Sequence, residues 1–208
     1  MENIARLPLG VLASNCYIIN AENGSAVVVD PASSAEVLAF MERHELKIGG
    51  IIITHGHFDH FAGAPALRKI SGAPIYAPEL DMDMLSSSEK SWAWFMQGVP
   101  FEPVLPDKTF SDGDEFSICG IDFRVMNAPG HTAGSCLLFC ERVGGFFAGD
   151  VLFKNSVGRT DGFSGSERRM RETMEKISAL EGDYRIFTGH GDVTTLRDEK
   201  MRNPYLKN

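Results

Sequence analysis

Ile51-Ile52-Ile53-Thr54-His55-Gly56-His57-Phe58-Asp59-His60 is the stretch on which the reading of the chain turns. Its short apolar run reads as a buried strand, and three histidines and an aspartate follow at the strand's end. In extended chain, residues two apart point the same way, so His55 and His57 can share one ion. Asp59 and His60 come where the chain is expected to turn into a helix, from about Asp59 to Ile70. They point elsewhere and suit a second ion nearby.

The same arrangement recurs further along. Phe123–Asn127 leads into Ala128-Pro129-Gly130-His131, Gly145–Ala148 into Gly149-Asp150, and Arg185–Thr188 into Gly189-His190. Of the 6 histidines, only His44 lies in a bland helical context. Metal-ligand residue types at the ends of adjacent strands converge on one rim of an α/β protein. One catalytic ion needs about three protein ligands and an open position. His55, His57, Asp59, His60, His131, Asp150 and His190 are too many for one tetrahedral site and suit two. Any one of these histidines alone reads as a core or surface residue; the combination does not. A closed structural zinc is disfavoured because no cysteine lies in the cluster.

Around these points the chain alternates strands and helices. Cys16–Asn20 and Ser25–Asp30 read as a hairpin across Ala21-Glu22-Asn23-Gly24. Ala35–Glu45 has helical spacing behind Ser33 or Ser34 as a cap. Gly50–Thr54 reads as a strand. Pro78–Pro106 carries Met82, Met84, Trp92, Trp94, Phe95, Met96 and Phe101 without a period, and reads as an irregular segment over something apolar. Its Met84–Phe101 part is a candidate wall of a substrate cleft; packing of Trp92 and Trp94 on the core is the plainer alternative. Then come Glu115–Ile118, Ile121–Asn127, Ser135–Cys140 and Gly145–Ala148 as strands. A helix follows at Ser166–Leu180 with Ser164-Gly165-Ser166-Glu167 as a capping box, then a strand at Arg185–Thr188 and a helix at Thr195–Arg202. Similar order in two halves predicts one domain over residues 1–208, divided near Leu105, with helices outside two sheets: a four-layer α/β sandwich.

Composition narrows the classes. With 208 residues the chain can bury a sizeable core. Its net charge of -8 argues against nucleic acid as a partner. No apolar run approaches the ~20 residues of a membrane span, and the N-terminus does not read as a signal peptide. Cys16, Cys119, Cys136 and Cys140 form no CxxC pair; Cys136 and Cys140 read as small core residues, and a reduced, cytoplasmic setting fits best. A small-molecule substrate is the expected partner.

His55-Gly56-His57-Phe58-Asp59-His60, Pro129-Gly130-His131-Thr132-Ala133-Gly134-Ser135, Gly149-Asp150 and Gly189-His190-Gly191 together resemble the metallo-β-lactamase superfamily. Ser14-Asn15-Cys16-Tyr17, Gly149–Phe153 and Val157–Asp161 look like its short, bacterial glyoxalase II-like hydrolases. The resemblance implies an αββα fold. It implies that His55, His57 and His131 hold metal one, that Asp59, His60 and His190 hold metal two, and that Asp150 bridges. Asp30, ending Val-Val-Val-Asp-Pro, matches the superfamily's early aspartate, with a supporting role behind a ligand or a plain turn role as alternatives. Family analogy favours zinc; the ligand set also allows iron or manganese. Two points depart from the family. The helical C-terminal domain by which long glyoxalase II enzymes hold glutathione is not expected, since the chain runs only to Asn208 after His190. Gly191-Asp192 stands where relatives often have Gly-Pro.

The implied chemistry is hydrolysis. Two cations bring the pKa of a shared water toward neutrality and make a hydroxide, which Asp59 orients toward a carbonyl. A thiolate leaves without much protonation, which favours a small hydroxyacyl thioester as substrate. Arg159 and Lys154 follow Asp150 closely and are candidates to meet an acidic group of that substrate. An Arg159–Asp161 ion pair that only fixes the loop is the alternative. The competing reading is a mononuclear iron persulfide dioxygenase using only His55, His131 and Asp150. A lactonase or another metallohydrolase of the superfamily comes next. A non-catalytic relative is expected to have lost ligands, and none is lost here.

Overall fold

Along Ser14–Asn20, Ile18 turns to one face of its sheet and Ile19 to the other, and both are fully buried. The next strand repeats the alternation, with Val28 on the first face and Val27 and Val29 on the second. A strand buried on both faces lies between two cores. The structure, a computed structural model describing residues 3–96 and 98–206, has three cores in all. Each buried Val, Ile or Phe contributes roughly 1.5–3 kcal/mol relative to exposure.

The first sheet has the order β1 (Ile4–Leu9), β2 (Ser14–Asn20), β3 (Ser25–Val29), β4 (Lys47–Ile52), β5 (Ile75–Pro78) and β6 (Lys108–Phe110). The first three strands are antiparallel, and β3 to β6 are parallel. The chain passes to the second sheet between Phe110 and Glu115. That sheet contains β7 (Glu115–Ile118), β8 (Ile121–Asn127), β9 (Cys136–Cys140), β10 (Gly145–Gly149), β13 (Arg185–Thr188) and β14 (Thr194–Thr195), with β13 between β10 and β14. A two-stranded ribbon, β11 (Leu152–Phe153) and β12 (Ser156–Val157), follows β10.

The sheets face each other through Tyr17, Ile19, Val29, Ile52, Phe123, Val125, Leu138, Phe147 and Phe187. The outer face of the first sheet is covered by α1 (Ser34–Arg43) and α3 (Ala64–Ser71). The outer face of the second is covered by α5 (Glu167–Ala179) and α6 (Leu196–Arg202), through Met170, Met174, Ile177 and Leu196. The result is the expected four-layer αββα sandwich. No helix among the described residues is long and apolar enough to cross a membrane. All four cysteines are free; Cys136 and Cys140 are buried as expected, Cys16 is buried too, and Cys119 is exposed.

Local differences have local causes. The helix expected over Asp59–Ile70 is two helices, α2 (Phe58–Phe61) and α3. The break falls at Gly63, whose N–H donates to Pro31 O at 2.8 Å instead of continuing one helix. Ser166, not Ser164, caps α5, accepting from Arg169 N at 3.3 Å. Ser33 caps α1 without bonding its backbone, because its hydroxyl turns to Glu36. The segment after Pro78 is irregular as expected, holding short 3-10 turns and α4 (Met82–Leu85).

Candidate metal centre

Every candidate ligand sits just past the C-terminal end of a strand or at the start of the helix that follows it. Parallel pairing of β3, β4 and β5, and of β10 and β13, brings those ends to one rim. Leaving β4, the chain runs through Ile53 and Thr54 to His55, Gly56 and His57, and Asp59 and His60 lie in α2. His131 follows β8, Asp150 follows β10 and His190 follows β13.

The seven residues come together in two adjacent groups. Ligand atoms of His55, His57 and His131 lie within 4.8 Å of one another, as do those of Asp59, His60 and His190. His57 Nδ1 stands 2.7 Å from His131 Nε2. His60 Nε2 stands 3.3 Å from His190 Nε2, and Asp59 Oδ2 is 3.3 Å from His190 Nε2 and 3.5 Å from His60 Nε2. Asp150 reaches both groups: its Oδ1 is 3.4 Å from His60 Nε2, and its Oδ2 is 3.6 Å from His131 Nε2 and 3.5 Å from His190 Nε2.

Supporting bonds orient these rings. Asp30 Oδ2 lies 3.0 Å from His60 Nδ1 and accepts from Thr54 Oγ1 at 2.7 Å, while its Oδ1 accepts from Thr54 N at 2.8 Å. Asp30 is thus committed behind His60 and leaves Nε2 of that ring facing the other ligands. His131 Nδ1 donates to Arg159 O at 2.8 Å. Ser14 Oγ donates to Asp59 Oδ2 at 2.6 Å. His55 Nε2 is buried and no described residue bonds it. A buried ring nitrogen with no protein partner, beside paired imidazole nitrogens and two carboxylates, is a donor set that fits divalent ions.

Proton affinities separate His55 and His57 from His60 and His190. Burial holds His55 well below the ordinary histidine range, with the neighbouring histidines adding to it. Burial, then His131, lowers His57 to about 3. Burial also opposes charge on His60, but Asp59, Asp150 and Asp30 outweigh it and raise that pKa well above the ordinary value. His190 is raised as well: burial works against it, and its bond to Asp59 and the charge of Asp150 prevail. Asp59 and Asp150 are lowered, because the surrounding histidines, His60 first, outweigh burial.

The candidates for substrate contact lie at the rim. Arg159 makes a bidentate pair with Asp161, at 2.6 and 2.8 Å, and its guanidinium lies 4.4 Å from the Trp92 ring centroid. Lys154 bonds Asp192 Oδ2 at 3.0 Å, which gives the unusual aspartate after Gly191 a partner. Trp92 stacks on His57 at 4.9 Å between ring centroids, whereas Trp94 and Phe95 are exposed. The aromatic segment therefore reaches the ligand set through Trp92 alone of these three. Sequence reasoning assigned no role to Ser14 or Asp81. Ser14 belongs to the family-like stretch Ser14-Asn15-Cys16-Tyr17, and no local sequence pattern marks Asp81.

A sandwich of two sheets with histidines and aspartates gathered at one rim defines a metal-dependent hydrolase fold. The chain belongs to the metallo-β-lactamase superfamily, whose pattern it matches over residues 9–190. It is 32% identical over 209 residues to a Haemophilus influenzae protein named hydroxyacylglutathione hydrolase GloC, covering 98% of each chain. It is similar to the crystal structure of BLEG-1 B3 metallo-β-lactamase, with a TM-score of 0.91, 30% identity, and 99% and 100% of the two chains covered. It is also similar to TTHA1623 in a di-iron-bound form, with a TM-score of 0.86, 29% identity, and 97% and 100% covered.

Proposed function

We propose that this chain is a binuclear metallohydrolase that cleaves small hydroxyacyl thioesters. The observation that carries the reading is the reach of Asp150 to both ligand groups, 3.4 Å from His60 and 3.6 Å from His131. His55, His57 and His131 would hold one ion, Asp59, His60 and His190 the other, with Asp150 between them. When bound, such ions supply Lewis acidity, bringing a water's pKa toward neutrality and offsetting charge on a carbonyl oxygen. Zinc is the proposed metal, and iron is the alternative that the di-iron neighbour supports. The free thiols suit a cytoplasmic setting.

The chain's own residues do the rest. Asp59, held by Ser14, is anionic and fixed, so it orients the attacking water. Asp30 and the Arg159 carbonyl hold His60 and His131 in the tautomers that leave the opposite ring nitrogens free. A thiolate leaves without prior protonation, so no separate general acid is needed. The ion pairs of Arg159 and Lys154 are exposed, so they bind weakly and yield readily to a substrate carboxylate, and Arg159 also lies against the Trp92 ring. Trp92 offers an apolar face beside His57 for the acyl or thiol part. The relative named hydroxyacylglutathione hydrolase supports this substrate class.

The test loads the metal-free protein with zinc or iron and assays a lactoyl thioester, a β-lactam and a glutathione persulfide. Thioester cleavage with a high KM and negligible oxygen uptake is expected. Oxygen consumption confined to the iron form, with no thioester cleavage by either, gives the persulfide dioxygenase. Turnover of the β-lactam alone gives a lactamase.

A further inference from the structure

Asp81 is fully buried and belongs to neither ligand group. It stands where a 3-10 turn (Glu79–Asp81) meets α4. Its Oδ1 accepts from Gly134 N at 2.7 Å. Its Oδ2 accepts from Gly56 N at 2.9 Å and from the Thr132 hydroxyl at 2.7 Å. Gly56 is the residue between His55 and His57, and Thr132 and Gly134 follow His131. One carboxylate therefore ties together the two loops that deliver all three histidines of the first group.

The fit is tight. A side chain at position 134 would place its Cβ 2.7 Å from Asp81 Oδ1, so only glycine lets the His131 loop approach this carboxylate. The three donors come from two loops that share no hydrogen-bonded ladder, because one follows the first sheet and the other the second. Thr132 adds a lock, its backbone N–H donating to Ser135 Oγ at 3.0 Å. Charge-assisted bonds of this kind are short and directional, so the loops' separation follows the carboxylate's geometry.

We propose that Asp81 is a positioning residue that sets the spacing of His55, His57 and His131, and with it the affinity of that group for its ion relative to the Asp59, His60 and His190 group. This rests on the binuclear reading above. Asparagine at this position keeps the size but replaces one oxygen with an N–H donor. That donor would face Gly134 N–H on one side, or Gly56 N–H and the Thr132 hydroxyl on the other. The Thr132 hydroxyl can turn to accept, but either orientation still sets the amide donor against a backbone N–H, of Gly134 or of Gly56, and pushes the loops apart.

The experiment titrates cobalt(II) into the metal-free full-length protein, following its visible bands and competing the ions off with a chelator. Wild type, Asp81→Asn and Thr132→Val are compared, each also in a His190→Ala background that isolates the three-histidine group. Thermal unfolding of the metal-free forms runs alongside. Asp81→Asn is expected to weaken the three-histidine ion by about 10–100-fold, the range for supporting-residue changes, with the other ion much less affected. Thr132→Val, which removes one of the three bonds to Asp81 together with the hydroxyl's contact with Ser135 Oγ, moves the same ratio less far and decides the matter if Asp81→Asn does not fold. Affinities that stay unchanged, or that fall together as stability falls, overturn the proposal and leave the binuclear reading intact. A wild-type chain that takes up one ion overturns the binuclear reading. The role of Asp81 is then upheld if both variants weaken that ion and overturned if neither does.

Discussion

Asp30 illustrates how one side chain's role depends on where folding puts its neighbours. It follows β3 with φ at 52°, a left-handed backbone that non-glycine residues seldom adopt. That conformation accompanies a carboxylate bonded to Thr54 through both oxygens and to His60 through one. Removing it frees the His60 ring to rotate and to change tautomer. Asp30→Ala is expected to weaken the ion at Asp59, His60 and His190 by about 10–100-fold, read by elemental analysis after dialysis against a graded chelator. A second-ion affinity equal to wild type would contradict the supporting role. The strand-end acid was legible at Asp30, because an apolar run ending in Asp-Pro is a local pattern. That it supports a ligand was legible only through the family resemblance, and that the ligand is His60 was not legible. Asp81 was silent, because its donors are 25, 51 and 53 residues away and no local pattern encodes them. Arg159 and Lys154 were legible as cations near the site, yet their pairing with Asp161 and Asp192 reads equally as loop fixation.

Among the elements, alternation was the reliable signal. β8 buries Ile121, Phe123 and Val125 and exposes Asp122 and Arg124, so its bounds were plain from the sequence. β1 was missed because it is an edge strand carrying Pro8, and proline in a short run argues against a strand. β5 and β6 were missed because runs of 4 and 3 residues are too short to show a period. The Val157–Asp161 stretch was noticed for its family likeness, and the structure gives it a physical task. It crosses the rim between Asp150 and His131, at a distance only glycine permits. A Cβ on Gly158 would lie 1.8 Å from the Asp150 carbonyl oxygen and 3.1 Å from His131 Nδ1. Gly158→Ala must therefore displace the loop, Asp150 or His131. The variant is expected to keep its far-UV circular dichroism while losing most bound metal and at least about tenfold in turnover, as disturbed supporting contacts do. Wild-type metal content in a folded Gly158→Ala protein would show that the loop yields without cost.

For the whole molecule, the sandwich sets the site between its halves, with each half contributing to each ligand group. His55, His57, Asp59 and His60 come from the first sheet's loops, and His131, Asp150 and His190 from the second's. Loss of metal should therefore loosen the joining of the halves, and its pH dependence follows from the divided proton affinities. A proton competes with an ion for the same ring lone pair. His60 and His190 are raised, so as pH falls they take protons first. His55 is lowered, and His57 is lowered to about 3, so they resist protonation far longer. Asp59 and Asp30, which help raise His60, also attract its ion, whereas Asp150 attracts both ions, so the expected order rests on proton uptake by His60 and His190 outweighing that attraction. The ion at Asp59, His60 and His190 is expected to leave first, from about pH 7 downward, and the ion shared by His55 and His57 at lower pH. Ions that bind only the folded chain stabilise it, so the melting temperature should fall in two steps. The metal-free protein has a different profile. His55 and His57 stay neutral when folded but take protons when unfolded, so their contribution is present above about pH 6.5 and declines as pH falls toward their folded values. His60 and His190 act with the opposite sign: their contribution is present at low pH and lost as pH rises through their raised values. Elemental analysis of His131→Ala and His190→Ala proteins across a pH series assigns each step to its ion. Both ions leaving together, or the three-histidine ion leaving first, would contradict this ordering.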